Sequence, residues 1–227
     1  MLVLPPAGAA RWRIGRLACL LVCCALACDE SGGPAGSAST SAAAETAERL
    51  GLAATALGAP LPRPEFALND VEGRRYDFRA ATAGRLTLLF FGYTSCPDVC
   101  PTTLASLSAG LRELPPDVRD DVLVVFVGVD PERDTRERVR DWLAHFDARF
   151  VGLTGNEAEL AEAQRAAAVP AAFVDDLWND GYTVAHASFV LVYTPDDQAH
   201  LRYGTDTSAA QWAHDLTVLA REGWPAA

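Results

Sequence analysis

Two cysteines four positions apart carry the strongest chemical signal in this sequence. Cys96 and Cys100 stand in the segment Cys-Pro-Asp-Val-Cys-Pro, which follows an apolar run over residues 86–91 and opens a predicted helix. The dipole of a helix N-terminus stabilises anions and can lower a cysteine pKa from about 8.5 to about 3.5–7.5. The two thiols are therefore candidate nucleophiles and candidate metal ligands.

The spacing of this pair favours a metal site but leaves a reversible disulfide open. Residues i and i+4 of a regular helix have Cβ atoms roughly 5–6 Å apart, whereas a disulfide needs about 3.5–4.5 Å. A disulfide would need a distorted turn, while two metal–sulfur bonds of ~2.3 Å fit a regular one. Dithiol oxidoreductases usually have the shorter Cys-x-x-Cys spacing.

Four histidines are candidates for a third ligand. His145 lies in an apolar helical stripe, His200 in a predicted hairpin and His214 on the last predicted helix. A core or surface role is the simpler interpretation for these three. His186 lies in a predicted loop that enters a strand at residue 189, and a thioredoxin-like fold would turn that loop toward the cysteines. Its position alone leaves a ligand role and a structural role equally open.

Acidic residues surround the predicted site. Asp130 and Asp134 belong to the turn Asp-Pro-Glu-Arg-Asp, which ends the second buried strand. Asp134 is predicted to cap the following helix in a capping box. Asp130, at the carboxyl end of a central strand, is a candidate to orient the metal ligands from outside. Asp98, between the cysteines, is predicted to be solvated.

The order of the predicted elements is hairpin, β, α, β, α, β, α, β, β, α. The strands are predicted at residues 66–68, 75–78, 86–91, 122–129, 150–153, 188–193 and 199–203. This order is typical of an α/β thioredoxin-like sandwich, in which helices flank a central mixed sheet, here with an N-terminal β-hairpin extension. The cysteines fall at the carboxyl end of the first central strand, where α/β sheets place their chemistry.

The N-terminal segment has the features of an export signal. Three arginines precede an apolar stretch over residues 17–27 that ends in small residues, so residues 1–27 are predicted to be a signal peptide of the lipoprotein type. Cys28 follows the cleavage point and is the predicted lipid anchor, and Asp29 after it favours retention at the inner membrane. The expected location is the periplasmic face of that membrane, where oxidation would favour a Cys96–Cys100 disulfide unless a metal or reductant intervenes.

Composition and charge limit the possible functions and the domain organisation of the chain. The formal net charge is -11 and lysine is absent, which argues against nucleic-acid binding because that requires a basic face. Small residues dominate residues 31–44, and residues 28–59 are predicted to be a flexible tether, although residues 45–57 could form a short alanine-rich helix. Residues 60–227 are long enough for one domain with a full core.

Four segments resemble the SCO/SenC family of membrane-attached copper proteins. They are residues 91–104 (Phe-Gly-Tyr-Thr-Ser-Cys-Pro-Asp-Val-Cys-Pro-Thr-Thr-Leu), residues 129–135 (Val-Asp-Pro-Glu-Arg-Asp-Thr), residues 152–155 (Gly-Leu-Thr-Gly) and Tyr182-x-Val184-x-His186. The resemblance covers about residues 62–220. One departure lies after His186, where this chain has Ala187 and the family usually has serine or threonine.

The resemblance implies a thioredoxin-like domain that binds copper through Cys96, Cys100 and His186. It also implies a role in assembling the CuA centre of cytochrome c oxidase subunit II, with other periplasmic copper carriers or thiol reductases as further partners. Two thiolates and one imidazole suit Cu(I), and Cu(II) with added ligands. Zinc is the alternative metal, but structural zinc normally has four protein ligands, and the sequence offers no fourth candidate.

Two functional hypotheses share the cysteines. In the first, the protein is a metallochaperone that delivers copper and turns over no substrate. In the second, Cys96 and Cys100 are the redox pair of a thiol–disulfide oxidoreductase that keeps the CuA-site cysteines reduced. Only the first requires His186. A peroxidase is the weakest alternative, because the spacing does not suggest one activated cysteine with its supporting groups.

Overall fold

The computed structural model describes residues 35–178 and 181–225, so the predicted signal peptide and Cys28 lie outside the described residues. The strands are β1 (Thr55–Pro62), β2 (Ala67–Asp70), β3 (Arg75–Asp77), β4 (Leu86–Gly92), β5 (Val122–Gly128), β6 (Val151–Thr154), β7 (Phe173–Trp178), β8 (Gly181–Ala185), β9 (Val190–Tyr193) and β10 (Gln198–Tyr203). The helices are α1 (Ala35–Arg49), α2 (Phe78–Thr82), α3 (Val99–Glu113), α4 (Pro116–Asp121), α5 (Arg136–Leu143), α6 (Glu157–Ala166) and α7 (Ala209–Glu222). Within the described ranges, no helix is long and apolar enough to cross a membrane.

Eight strands form one mixed sheet in the order β1-β10-β9-β4-β5-β6-β2-β3. β4, β5 and β6 are parallel neighbours, and the other pairs are antiparallel. β7 and β8 form a separate two-stranded antiparallel sheet. The predicted α/β thioredoxin-like fold is confirmed, as is the hairpin, which is formed by β2 and β3.

The central strand and the cysteine-bearing helix are fixed by buried apolar side chains. All seven residues of β4 are buried, as a continuous apolar strand covered on both faces requires. Apolar residues at helical spacing bury one face of α3 and one face of α7 in the same core: Leu104, Leu107, Leu111, Trp212, Leu216 and Leu219. The end of β4 and the start of α3 are therefore rigidly placed.

Part of the tether predicted for residues 28–59 is regular structure instead. Residues 35–49 form α1, which buries Ala43 and Ala47. β1 begins at Thr55 and pairs with β10, so the domain extends N-terminal of residue 60. The backbone N–H of Ala53 donates to the Asp215 carboxylate over 2.7 Å and ties this segment to α7. Alanine has the highest helix propensity but gives little apolar periodicity, which is why the pattern suggests only a short helix over residues 45–57 and misplaces its bounds.

The segment before His186 also differs from its prediction. It was expected to be a loop, but residues 181–185 form β8, in which Val184 pairs with Val174 and Ala185 with Phe173 of β7. His186 therefore directly follows a strand, which restricts its backbone more than a loop would.

A buried arginine joins four segments at one edge of the domain. Arg63 is 1% exposed, and its guanidinium donates to Asp197 Oδ1 over 2.6 Å and to Thr82 Oγ1 over 3.0 Å. It also donates to the carbonyl oxygens of Arg85 and Thr194, over 2.9 Å and 3.0 Å. A buried charge with this many partners is well compensated.

Candidate metal centre

The two cysteines lie where β4 ends and α3 begins. Cys96 belongs to the turn before the helix, and its backbone N–H donates to the carbonyl of Tyr93 over 3.2 Å. Cys100 lies in the first turn of α3 and is fully buried. Both thiols are free. The spacing argument had placed both residues on one regular helical turn; the structure instead places Cys96 just outside the helix.

The structure brings together the three side chains that the sequence singled out. The candidate ligand atoms of Cys96, Cys100 and His186 all lie within 4.8 Å of one another. Cys100 Sγ is 3.4 Å from His186 Nε2, and the backbone N–H of Cys100 donates to Cys96 Sγ over 3.4 Å. The cysteines are buried and His186 is half-buried, so the histidine side is the more accessible one.

Backbone carbonyls fix the tautomer of His186. Nδ1 lies 2.9 Å from the carbonyl oxygen of Phe91 and 3.0 Å from that of Ala187. Carbonyl oxygens only accept hydrogen bonds, so Nδ1 carries the proton. The lone pair of Nε2 then faces Cys100 Sγ, as in metal-binding histidines that donate their other ring N–H to a carbonyl.

Gly92 makes room for the buried sulfur. A Cβ atom at this last residue of β4 would lie 2.8 Å from Cys100 Sγ and 2.9 Å from the ring of Phe126. Neither neighbour has space to move in a close-packed core. The glycine is therefore required by the position of the thiol.

The two thiols differ strongly in acidity. Hydrogen bonds from the Cys100 thiol and from the backbone N–H groups of Asp98 and Cys100 outweigh burial and lower the pKa of Cys96 to about 3. Burial and the neighbouring Cys96 raise the pKa of Cys100. The metal-free pair therefore shares one proton, with the thiolate on Cys96 and the thiol on Cys100.

We expect ultraviolet thiolate absorbance to show one thiolate per folded, metal-free chain at about pH 6, where an ordinary cysteine with a pKa of about 8.5 is protonated. Raising the pH to about 8 should add no second thiolate from this pair, because burial raises the pKa of Cys100. Cys96→Ser should remove the signal at about pH 6. Two thiolates, or none, at that pH in the wild-type chain would contradict the shared proton.

Asp134 has a different role from the one predicted. The cap of α5 is Thr135, whose side chain accepts from the backbone N–H of Arg138. Asp134 Oδ1 instead accepts from the backbone N–H and the hydroxyl of Thr94, over 3.0 Å and 2.7 Å. Burial raises the pKa of Asp134. The carboxylate thus holds the start of the cysteine loop.

Asp130 lies on the histidine side of the site. Its Oδ1 accepts from the Tyr182 hydroxyl over 2.7 Å, and its Oδ2 accepts from Arg133 Nε. Asp98 is exposed. Sequence patterns gave no role to Thr94, Tyr182 or Arg133, although all three stand inside the quoted motifs.

The other histidines lie apart from the cysteines. His145 Nδ1 lies 3.2 Å from the carbonyl oxygen of Trp142. His200 is buried, with Nε2 2.7 Å from Asp196 Oδ2 and its ring stacked 4.5 Å from that of Trp224. His214 Nδ1 lies 2.8 Å from Asp215 Oδ1. Each of the three has a local partner, consistent with core and surface roles.

The donor set selects a class of metal. Two sulfurs and one imidazole nitrogen are soft donors that suit Cu(I), whereas magnesium and calcium take oxygen ligands. In the described part of the chain, the group of candidate ligands contains these three residues and no fourth, whereas structural zinc sites are four-coordinate. The geometry fits a low-coordinate soft ion.

Comparisons with known proteins agree with this site. The family model described as SCO1/SenC matches residues 55–221. The chain is 33% identical over 164 residues to the mitochondrial SCO1 homolog 1 of Arabidopsis thaliana, covering 72% of this chain and 45% of that protein. It spans about half the length of the curated relatives that it matches.

Two solved structures share the fold over most of their length. ScoI of Bradyrhizobium japonicum with copper bound has a TM-score of 0.61 and 33% identity, covering 69% of this chain and 98% of that one. Apo Sco1 of Thermus thermophilus has a TM-score of 0.65 and 34% identity, covering 74% and 96%. Since the family match takes in most of the chain and includes all three candidate ligands, the protein belongs to the SCO1/SenC family.

Proposed function

We propose that the protein binds copper through Cys96, Cys100 and His186 and delivers it to the CuA centre of cytochrome c oxidase subunit II. The observation that carries this proposal is the cluster of three soft donor atoms within 4.8 Å, with the lone pair of His186 Nε2 directed at Cys100. Membership of the SCO1/SenC family and the copper in the related ScoI structure support the metal. The Sco family is one of cytochrome c oxidase assembly proteins, which supports the recipient.

The surface beside the site supports delivery to another protein. Phe173 and Val174 of β7 are 61% and 53% exposed, and they pair with Ala185 and Val184, next to His186. Handover by ligand exchange requires the recipient's donors to reach the copper, and exposed apolar residues beside the strand that leads to His186 suit contact with such a partner. The half-buried imidazole is the ligand that such a recipient would displace first.

Attachment to the periplasmic face of the inner membrane is part of the same proposal. It rests on the signal peptide features of residues 1–27 and on Cys28 as the lipid-bearing residue, all outside the described residues. Lipid attachment would keep the protein beside a membrane-bound oxidase.

Copper transfer to the isolated CuA domain tests the proposal. The Cu(I)-loaded protein is mixed anaerobically with reduced, metal-free CuA domain, and copper is measured on each protein after separation. We expect transfer from the wild-type chain and from the control variant His145→Ala. His186→Ala should neither hold nor transfer stoichiometric copper. Retention of copper by the loaded wild-type protein would contradict the delivery function.

A thiol–disulfide reductase is the second candidate, favoured by the low pKa of Cys96. The Cys96 thiolate would attack a disulfide of the CuA site, and Cys100 would lose its proton and attack Cys96 Sγ. The recipient leaves as a dithiol after gaining two electrons, and Cys96–Cys100 remains as a disulfide. Reduction of an oxidised CuA domain by His186→Ala at the wild-type rate would support this activity, because the step does not use the imidazole.

A further inference from the structure

We propose that the turn Asp130–Asp134 positions the metal site by holding the cysteine loop and the histidine strand at a fixed separation. This inference rests on the proposed ligand set. The turn follows β5, and β5 is the parallel neighbour of β4, which leads into the cysteine loop. The backbone N–H of Val129 donates to the carbonyl of Gly92 over 2.8 Å and joins the ends of these two strands.

The cysteine side of the turn is held by Asp134. Its carboxylate receives both polar hydrogens of Thr94, two residues before Cys96, and lies 3.4 Å from the backbone nitrogen of Asp130. A Cβ atom at Gly128 would lie 2.9 Å from Asp134 Oδ2, so the carboxylate fills the space that this glycine leaves. Asp134 and Thr94 are both buried, and burial strengthens such hydrogen bonds.

The histidine side of the turn is held by Asp130 and Arg133. Asp130 is 2% exposed and accepts from the Tyr182 hydroxyl. Arg133 pairs with Asp130, and its Nη1 donates to the backbone carbonyl of Tyr182 over 3.0 Å. Its guanidinium carbon also lies 3.7 Å from the centroid of the Tyr182 ring. Tyr182 is thus held by its hydroxyl, its ring and its backbone.

Tyr182 is connected to His186 by one continuous strand. The two residues stand four positions apart, at the start of β8 and directly after its end. β8 belongs to the separate two-stranded sheet and shares no ladder with β4 or β9 among the described residues. The contacts to Asp130 and Arg133 therefore hold the start of this strand, while the hydrogen bond from His186 Nδ1 to the Phe91 carbonyl of β4 holds its end. Loss of these contacts should let His186 Nε2 move relative to the cysteine sulfurs.

A double-mutant cycle distinguishes positioning from general stability. Cu(I) dissociation constants are measured by anaerobic chelator competition for wild type, Tyr182→Phe, His186→Ala and the double variant. Tyr182→Phe should raise the dissociation constant severalfold in the wild-type background, less than the about 10–100-fold typical for groups that hydrogen-bond a ligand directly, because Tyr182 acts on His186 through the strand between them. It should have almost no effect in the His186→Ala background, because Tyr182 acts through the imidazole.

Three further variants complete the experiment. Thr94→Val should weaken copper binding with or without His186, because it acts through the cysteines. Tyr203→Phe removes a comparable tyrosine hydroxyl from Asp215 (2.9 Å), on elements that carry no candidate ligand, and should leave the dissociation constant unchanged. Arg133→Met repeats the cycle with a residue of the turn itself. In the metal-free protein, nitrogen NMR of the His186 ring should show a defined Nδ1–H tautomer in wild type and exchange broadening in Tyr182→Phe.

The outcomes separate the positioning role from the ligand assignment. If Tyr182→Phe and Arg133→Met leave the wild-type dissociation constant unchanged, or weaken binding equally with and without His186, the positioning role is wrong while the ligands stand. If His186→Ala binds copper as tightly as wild type, the ligand set itself is wrong, and the positioning role with it.

Discussion

Replacing Cys100 with serine is expected to abolish tight Cu(I) binding. Cys100 is the most buried of the candidate ligands, and its sulfur lies 3.4 Å from His186 Nε2. A serine hydroxyl fits the same space but is a hard donor that Cu(I) binds poorly. Structural zinc sites, as a guide, have apparent binding free energies of about 10–16 kcal/mol. Loss of one donor in three should therefore cost about 3–5 kcal/mol and raise the dissociation constant at least about a hundredfold.

Chelator competition under anaerobic, reducing conditions measures this effect, and Ser95→Ala is its matched control. Ser95 stands in the same loop, next to Cys96, and is not a candidate ligand. The control should bind one copper per chain with the wild-type dissociation constant. Near wild-type affinity in a folded Cys100→Ser chain would show that copper is held elsewhere.

Replacing Arg63 with methionine is expected to give the largest loss of folding stability. The change removes four hydrogen bonds of a buried guanidinium and leaves two carbonyl oxygens and the Thr82 hydroxyl without that partner. Removing one member of a buried ion pair typically costs about 3–5 kcal/mol. Because Asp197 is partly exposed and can be solvated, we expect about 3 kcal/mol, measured as a lower urea midpoint at unchanged slope.

A surface arginine provides the control for this measurement. The Arg140 side chain is 47% exposed and pairs with Asp141, which is 69% exposed, and exposed pairs of this kind contribute about 1 kcal/mol or less. Arg140→Met should therefore shift the urea midpoint only slightly. An equal loss of stability in both variants would contradict the structural role of Arg63.

The same variant should have a characteristic pH dependence. Burial alone would raise the pKa of Asp197. The hydrogen bonds from the backbone N–H of Gly84 and from the Arg63 guanidinium lower it by more than burial raises it, so the net shift is downward. When the pKa of a carboxylate is lower in the folded state than in the unfolded state, the group stabilises the fold at pH values above its unfolded-state pKa. This stabilisation is lost as the pH falls through the folded-state pKa. The stability difference between wild type and Arg63→Met should thus narrow below about pH 4.

The elements that carry the core could be predicted from the sequence because their apolar patterns are long. β4 and β5 are nearly continuous apolar runs, and α3 and α7 bury regularly spaced residues. β1 has no such pattern: most of its residues are exposed or half-buried at the edge of the sheet. Its place depends on the free edge of β10, which is far away in the sequence. The strand β8 is hard to predict for another reason: Phe173 and Val174 of its partner β7 are exposed, and the pair forms no ladder with the main sheet among the described residues.

The ligand candidates were identifiable because their side chains have distinctive chemistry and spacing. The groups that hold them were not. The carbonyl of Phe91, which accepts from His186 Nδ1, is a backbone atom that any residue would supply. Asp134 matched the pattern of a helix cap, but the adjacent Thr135 serves that role, which leaves the carboxylate for Thr94. Tertiary contacts decided between two roles that the local sequence allowed equally.

The division of the strands into two sheets gives the candidate ligands different freedom to move. Cys100 stands on a helix that packs in the core of the main sheet, so a large displacement of its sulfur would disturb the core. His186 follows a hairpin with its own small ladder, and such units open at a lower free energy than the whole domain. Amide protons of β8 should accordingly exchange with solvent faster than those of β4. With the proposed ligand set, the imidazole should then leave the copper more often than the Cys100 sulfur does, and each departure would give an incoming donor time to bind.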